Sequence, residues 1–298
     1  MIFISEHGSA DALLLGIGEH NQDKLFIYSD ISLTIDAVTY FAENIFDFLF
    51  KCRIVEYDNE GFLYDKIRKI ETKRLAVKLT ARAEKLVKQG HPWVFDNSIA
   101  KLNKEGQAGD LAILFDNRAD KVYGIALYDP DSPIRLKVLS STPATANEAF
   151  FKDKIQVAFK KRAKLLRTAT NSYRLFFCEN DGFHGLIADV YYNVIVVKVH
   201  SAIWFPYLEM VLPHLLAISH TEIMVLRLSR NVGKGNTYGL TDGQVIHGVL
   251  KNDVVTFVEH GVKFSANVIY GHKTGYFLDH RNNRKRVGEL SRGKSVLD

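Results

Sequence analysis

Several groups of residues in this sequence could do chemistry, and each has an ordinary structural use to set beside it. Glu179, Asp181 and Asp189 lie close together, and clustered carboxylates can hold a metal ion or move protons. Asp181-Gly182, with Gly185 following, reads instead as a tight turn between strands, and that structural use is favoured. The two cysteines, Cys52 and Cys178, are too far apart for a disulfide framework or a metal-ligand spacing. A cysteine nucleophile needs a lowered pKa and an acid–base partner. Cys178 sits in an apolar strand run and is not read as one. Gly233, Gly235 and Gly239 (GKGNTYG) have the wrong spacing for a dinucleotide fingerprint, and no helix pattern follows, so a loop between strands is expected. Gly16 and Gly18 carry less signal still.

A second set could hold nucleic acid. Trp93 and Phe95 can stack on unpaired bases or plug the core of a small barrel, and burial is the favoured use. His91 and Lys88, polar and flanking a turn at Gly90, are stronger RNA-contact candidates, and Trp93 is kept with them. Lys160, Lys161 and Lys164 belong to a basic helix that could track phosphates. A solvated helix face gives the same pattern.

The elements that must position these groups can be read along the chain. Residues 1–72 stand apart. Their first fifty residues hold eight acids and one base, a net of −7, so with a total of +5 the rest of the chain carries +12. Leu25–Tyr28 and Ile31–Ile35 read as short strands, and Thr39–Lys51 reads as an amphipathic helix by its aromatic and aliphatic spacing. From about Lys73 the texture changes. Arg74–Leu79 alternates like a half-buried strand, and Thr80–Lys88 reads as a helix with Thr80 as cap and Gly90 closing it. Strand-like runs follow at Leu111–Phe115, Lys121–Tyr128 and Ile134–Leu139, a spacing that suggests a small β-barrel. A long basic helix is expected over Asn147–Thr168. Then come strands at Arg174–Cys178, Gly185–Tyr191, Asn193–His200, Ile223–Leu228 and Val254–Val258, with a helix near Trp204–Ala217. That alternation argues for an α/β unit. A basic helix at Asp279–Leu290 and a strand opening at Ser295–Asp298 end the pattern.

The 298 residues suit about two domains, and 47% hydrophobic with 24% charged residues is ordinary globular composition. No stretch reaches the roughly 20 uncharged apolar residues of a membrane span, and no signal peptide is read at the start. No membrane partner and a cytoplasmic location are expected. The basic body suits a polyanionic partner.

Three segments in order carry a further pattern. Gly90-His91-Pro92-Trp93-Val94-Phe95 resembles the opening of the PUA domain in the class I, SAM-dependent 23S ribosomal RNA (cytosine-C5) methyltransferase family. Tyr173–Asp189 (YRLFFCENDGFHGLIAD) resembles that family's R-L-…-E-x-D-G-L-P-G-L-x-x-D pattern. Gly271–Arg284 (GHKTGYFLDHRNNR) is similar to its Q-K-T-G-F-F-L-D-Q-R-x-N-R. His184 stands where the family has proline, and His272 and His280 stand where it has glutamine.

The resemblance covers about residues 73–298 and implies an α+β fold. A PUA-like RNA-binding β-barrel at 73–143 would be followed by a central α/β domain at 144–270. The first strand of a Rossmann-like methyltransferase domain would fall within 271–298. It implies S-adenosylmethionine as cofactor and ribosomal RNA as partner. In the family the third segment lies against the cofactor pocket, so Lys273, Thr274, Gly275, Tyr276, Asp279, Arg281 and Asp298 become cofactor-edge candidates. Gly275 would allow close backbone approach, and Asp279 could cap the following helix. The same resemblance places the glycine loop and the cysteine nucleophile after Asp298. No catalytic residue is therefore assigned, and the chain is expected to be catalytically incomplete by itself. A second chain completing that domain, a homodimer, or a non-catalytic RNA-binding module are the alternatives. The helix Asp279–Leu290, lacking the sheet it would pack on, is expected to be weakly anchored.

Overall fold

Four short runs rich in leucine, isoleucine, phenylalanine and tyrosine open the chain, and each forms a strand. A computed structural model describes the backbone of these four strands, residue 67 and residues 69–295. The strands are β1 (Ile2–Glu6), β2 (Ala12–Leu15), β3 (Leu25–Tyr28) and β4 (Val38–Ala42). They pair antiparallel in sequence order. The helix expected over Thr39–Lys51 is corrected at its start. Thr39 and Tyr40 pair with β3 as strand residues, because β-branched and aromatic side chains suit a pleated surface as well as a helix stripe. The rest of that span, and the strand expected at Ile31–Ile35, lie outside the described residues. Residues 1–62 form one compact unit and residues 63–298 another.

In the second unit, polarity alternates along β5 (Arg74–Leu79), burying Leu75, Val77 and Leu79. Helix α1 (Ala81–Lys88) follows, capped by Thr80, whose side chain accepts from the Ala83 N–H, and Gly90 leaves it at φ 94°. The strands β6 (Trp93–Val94), β7 (Ile99–Leu102), β8 (Leu111–Phe115), β9 (Val122–Tyr128) and β10 (Leu136–Ser140) complete a six-stranded sheet. Its order is β6-β10-β9-β8-β5-β7, with β5 and β8 parallel. Ala83 and Val87 of α1 join Leu75, Val77, Leu114 and Leu136 in its core.

The basic helix expected over Asn147–Thr168 is two helices, α2 (Glu148–Lys160), capped by Asn147, and α3 (Ala163–Leu166). They separate at Lys161–Arg162, whose side chains both reach Asp181. Strands β11 (Ser172–Phe177), β12 (Leu186–Tyr191) and β13 (Val194–Val199) pair antiparallel in sequence order. Helix α4 (Leu208–Ser219) then returns the chain so that β14 (Ile223–Leu228) lies parallel to β13. The short helix α5 (Arg230–Gly233) leads to the edge strand β15 (Gln244–His247). A hairpin of β16 (Val254–Glu259) and β17 (Val262–Asn267) and the helix α6 (Arg281–Leu290) follow. The final strand expected at Ser295–Asp298 falls, from Val296 on, outside the described residues.

The five-stranded sheet is covered on both faces. On one, Phe176 and Phe183 stack at 4.0 Å between centroids, and Phe151 of α2 meets Trp204. On the other, Tyr191, Val196 and Val225 pack against Phe257, Ala266 and Val268 from the hairpin and the residues after it. The segment Ala202–Ser219 is apolar enough by composition to cross a membrane. It is a core element here, with Ile203, Trp204, Leu208, Val211 and Leu215 buried.

The β5–β10 sheet and the α/β unit meet through side chains aimed at backbone. Tyr207 donates to the Gly109 carbonyl at 2.9 Å, and Lys154 donates to that of Leu139 at 3.0 Å. Ser201 donates to Asp129 at 2.7 Å, itself held by the buried Lys137. His184 Nε2 donates to the Val138 carbonyl at 2.5 Å. Approach is so close at Gly109 that a Cβ there would come 2.7 Å from Pro206. His184 thus has a defined structural use as a donor across this junction.

Burial lowers the His184 imidazole to about 4, and its Nδ1 has no hydrogen-bond partner. An unfolded imidazole takes its proton near 6.5. Between those values the unfolded state binds more protons, so the His184 contribution is complete above about pH 6.5 and is lost as pH falls towards 4. The loss amounts to roughly 3 kcal/mol. Thermal unfolding at pH 7 and pH 4.5 should show a smaller drop in Tm for His184→Asn than for the parent. An identical drop in both would show that His184 does not titrate with folding.

Candidate functional site

At the centre of the sheet's hairpin-facing side is a carboxylate with no access to water. Asp189 on β12 is 0% exposed. Its strand partner Arg174 on β11 meets it with two parallel bonds, Nε to Oδ1 at 2.8 Å and Nη2 to Oδ2 at 2.9 Å. Thr274, also 0% exposed, donates its hydroxyl to Asp189 Oδ2 at 2.5 Å. The Tyr191 hydroxyl lies 2.8 Å from the same threonine oxygen, and since Thr274 donates to Asp189, Tyr191 donates to Thr274. Arg174 and Asp189 come from the second sequence segment noted above and Thr274 from the third. The structure joins the two segments in one buried network.

Thr274 pins a tightly wound loop. Asn267 Oδ1 accepts from the N–H groups of Ile269 and Tyr270, and its carbonyl accepts from Gly271. Gly275 sits at φ 131°, where a Cβ would approach the Asn267 carbonyl oxygen to 2.8 Å. The backbone of this loop is held from the sheet below. Lys198 on β13 donates to the Lys273 carbonyl at 2.8 Å, and Arg227 on β14 donates to that of Gly271 at 3.1 Å.

The cofactor-edge candidates therefore divide. Lys273 and Asp279 form a solvent-facing ion pair at 2.7 Å, with the lysine over the Phe277 ring. Partial burial raises the Asp279 carboxyl, but the Lys273 hydrogen bond, a backbone N–H and the charges of Lys273 and Arg174 together outweigh it and the pKa falls. Tyr276 packs between Phe257 and Phe264. Arg281 donates to His260, Thr168 and Thr170. Thr274, Tyr276 and Arg281 hold the loop and helix in place through contacts within the fold. Asp298 lies outside the described residues.

The expected weak anchoring of α6 is corrected as well. Arg284 makes two bonds to Glu259, itself 2% exposed on its side chain, at 2.8 and 2.7 Å, and Leu278 is buried just before the helix. The later turns differ, with Val287 and Leu290 exposed.

Among the RNA-contact candidates, Trp93 and Phe95 are 36% and 45% exposed, with Val94 buried between them. The core role favoured for both is corrected: on a strand the alternation that buries Val94 turns its neighbours outward. His91 Nδ1 accepts from the Trp93 N–H at 3.2 Å, bracing that segment. Lys88 is engaged by Glu84 and Asp116 and lies over Tyr123. Lys161 binds Asp181 and the Asn180 carbonyl. Lys160 and Lys164 are exposed.

Of the three carboxylates read as structural, Asp181 and Asp189 hold the fold. Asp181 takes two bonds from Arg162 and one from the Phe177 N–H. Among the described residues no group of acids, histidines and cysteines could hold a metal. Burial pushes the Cys178 thiol up to about 11, the opposite of what a nucleophile needs. Gly233 ends a short helix capped by Ser229 rather than opening one. Lys198 and Arg227 were not singled out in the sequence. Their only signal is a charge interrupting each of two apolar strand runs.

Residues 77–141 match the model of a PUA-like domain. A ribosomal RNA large subunit methyltransferase of Deinococcus radiodurans is 42% identical over 232 residues, covering 76% of this chain and 57% of the relative. A ribosomal RNA large subunit methyltransferase I of Vibrio vulnificus is 31% identical over 224 residues, covering 75% of this chain and 56% of the relative.

Over about three quarters of its length this chain is similar to ribosomal RNA large subunit methyltransferases, and a PUA-like domain lies within that stretch.

It spans somewhat over half the length of those relatives. Two solved structures share the fold. One is described as a putative SAM-dependent methyltransferase from Streptococcus mutans, with TM-score 0.60 and 19% identity over 71% of this chain and 53% of that one. The other is a putative methyltransferase complexed with SAH, with TM-score 0.59 and 20% identity over 72% of this chain and 53% of that one.

Removing one partner of a buried ion pair leaves the other charge uncompensated, at a cost of about 3–5 kcal/mol. Asp189→Ala should destabilise by that amount, and Thr274→Val by about 1–3 kcal/mol. Because both share one network, the double variant should lose less than the sum. Urea unfolding of the three variants measures this, and strict additivity would show that the two residues act separately.

Proposed function

We propose that this chain is the RNA-docking portion of a SAM-dependent methyltransferase that modifies ribosomal RNA in the cytoplasm, with C5 of a cytosine in 23S ribosomal RNA as methyl acceptor. On this reading residues 73–143 grip RNA, residues 144–270 are the central scaffold, and the stretch from 271 begins the methyltransferase portion. The observation that supports it most is the junction of the two sheets. Tyr207, Lys154, Ser201 and His184 bind the RNA-gripping module to the central scaffold, so RNA held on the first would be presented at a fixed distance from the loop 271–279.

S-adenosylmethionine, when bound, supplies an electrophilic methyl group. Of this chain's residues, Lys273 and Asp279, solvent-facing and charged, fit the edge of its site, with the backbone at Gly275 allowing close approach. Thr274, Tyr276 and Arg281 would serve by holding them there. A cysteine nucleophile would have to come from outside the described residues, since the raised Cys178 cannot act as one. The second reading, a non-catalytic RNA-binding module, is favoured by that same cysteine. Equilibrium dialysis with labelled S-adenosylmethionine separates the two. Binding that Asp279→Ala weakens supports the first reading, and no binding supports the second.

Binding to 23S ribosomal RNA fragments should fall linearly in log–log form with salt, by about tenfold or more between roughly 50 and 200 mM. Trp93→Ala should cost about 1–3 kcal/mol of affinity, the usual value of one base–aromatic stack. Lys88→Ala should lower stability and leave the salt slope unchanged, because its charge is already met by Glu84 and Asp116. Filter binding and thermal unfolding on the same variants check both. A flat salt response would overturn the reading.

A further inference from the structure

Outside the PUA-like module, one row of side chains crosses four strands at the open end of the five-stranded sheet. Phe177 on β11 pairs with Ile187 on β12, Ile187 with Lys198 on β13, and Lys198 with Arg227 on β14. Paired residues share a face, so an aromatic ring, an aliphatic chain and two cations stand side by side. It is the face bearing Asp189, at the end where the loop 271–279 crosses.

The row is built rather than incidental. Phe177 is 44% exposed, and the Arg174 guanidinium lies 5.4 Å from its ring centroid. Arg174 is itself fixed by both oxygens of Asp189, so the ring rests on a rigid base. Three cations of this region have carboxylate partners: Arg174 with Asp189, Arg227 with Asp242, and Lys273 with Asp279. Lys198 has none among the described residues. Its one hydrogen-bond partner is the Lys273 carbonyl, and the carboxylates of Asp242 and Asp189 act on it only at a distance. His200, just past the end of β13 with its N–H bonded to the Gly185 carbonyl, is exposed. Desolvation and then Lys198 lower its imidazole, with Glu179 as the acid acting the other way.

We infer that Phe177, Lys198 and His200 form a subsite for one unpaired nucleotide of an RNA strand, with the base on Phe177 and the phosphate at Lys198. The chemistry on each side matches. An exposed ring braced from beneath accepts a base of any identity, and a lysine without a carboxylate partner accepts a phosphate as a point charge. The aliphatic Ile187 spaces the two. The subsite rests on the RNA-docking reading above, and extends it from the PUA-like module to the central scaffold. It takes unpaired rather than duplex RNA, because a base inside a helix cannot present its face to Phe177.

The test uses the full chain and a short unstructured RNA of about ten nucleotides carrying 5-bromouridine, beside the same RNA annealed to its complement. Irradiation should cross-link the single strand to Phe177, located by mass spectrometry, and the duplex should give little product there. Phe177→Ala should weaken single-strand binding by roughly 5- to 100-fold. Lys198→Gln, which keeps a donor for the Lys273 carbonyl, should reduce the salt slope by about 0.7. Circular dichroism and the unchanged effect of Trp93→Ala in each background establish that the variants fold. If the parent binds RNA, Trp93→Ala weakens it, and both Phe177→Ala and Lys198→Gln bind like the parent, the subsite is wrong and the RNA-docking reading stands. If the parent binds no RNA, both fall.

Discussion

A carboxylate sealed from water has to be neutralised where it sits, and much of the α/β unit is arranged to do that for Asp189. One buried ion of this kind would cost several kcal/mol alone. Arg174 offsets that cost with two parallel bonds across the β11–β12 ladder, and Thr274 adds a third from a loop far along the chain. The consequence is geometric as much as energetic. The loop 271–279 cannot lift without removing one of the three bonds that neutralise Asp189, so the charged pair Lys273–Asp279 is held over one end of the sheet. Arg174, in turn, is the floor beneath Phe177. A single charge thus sets the loop, the ion pair and the exposed ring in register.

The same economy governs the junction of the two sheets. Its bonds run from side chains on the central scaffold to carbonyls at Gly109, Val138 and Leu139 and to the Asp129 carboxylate. Carbonyls change neither place nor character when surface side chains vary, so the exposed face around Trp93 can differ without disturbing the joint. His184 illustrates the trade. It supplies a donor that proline, the residue the resembling family has there, does not possess, and it carries a ring nitrogen without a partner.

Most of the architecture was legible because its signals are local. Strict alternation gave Arg74–Leu79 to the residue, and the Thr80 cap with Gly90 marked the helix between them. The apolar strands β12, β13 and β14 stood out for the same reason. What escaped was short or ambiguous. Strands β6 and β15 are two and four residues long, too short for periodicity to register, and Thr39–Ala42 fits strand and helix alike. Site residues were legible only as segments. The motif reading gathered Arg174, Asp189 and Thr274 without revealing that they touch, since nothing local links positions 85 residues apart. Trp93 and Phe95 were misplaced because an aromatic pair reads as core until the buried residue between them is known. Lys198 and Arg227 were hidden inside runs of valine and leucine, and only strand register shows that they are neighbours.

That long separation also orders events during synthesis. Asp189 and Arg174 leave the ribosome together, but Thr274 follows 85 residues later, which at ordinary elongation rates is on the order of ten seconds. Through that interval β12 can pair with its neighbours while one face of the sheet, Tyr191, Val196 and Val225 included, waits uncovered for the hairpin of β16 and β17. The nascent chain therefore carries a half-finished sheet with a polar lock already half-closed at its centre. Arg174 keeps the carboxylate neutralised during the wait, and the arrival of Thr274 closes the lock.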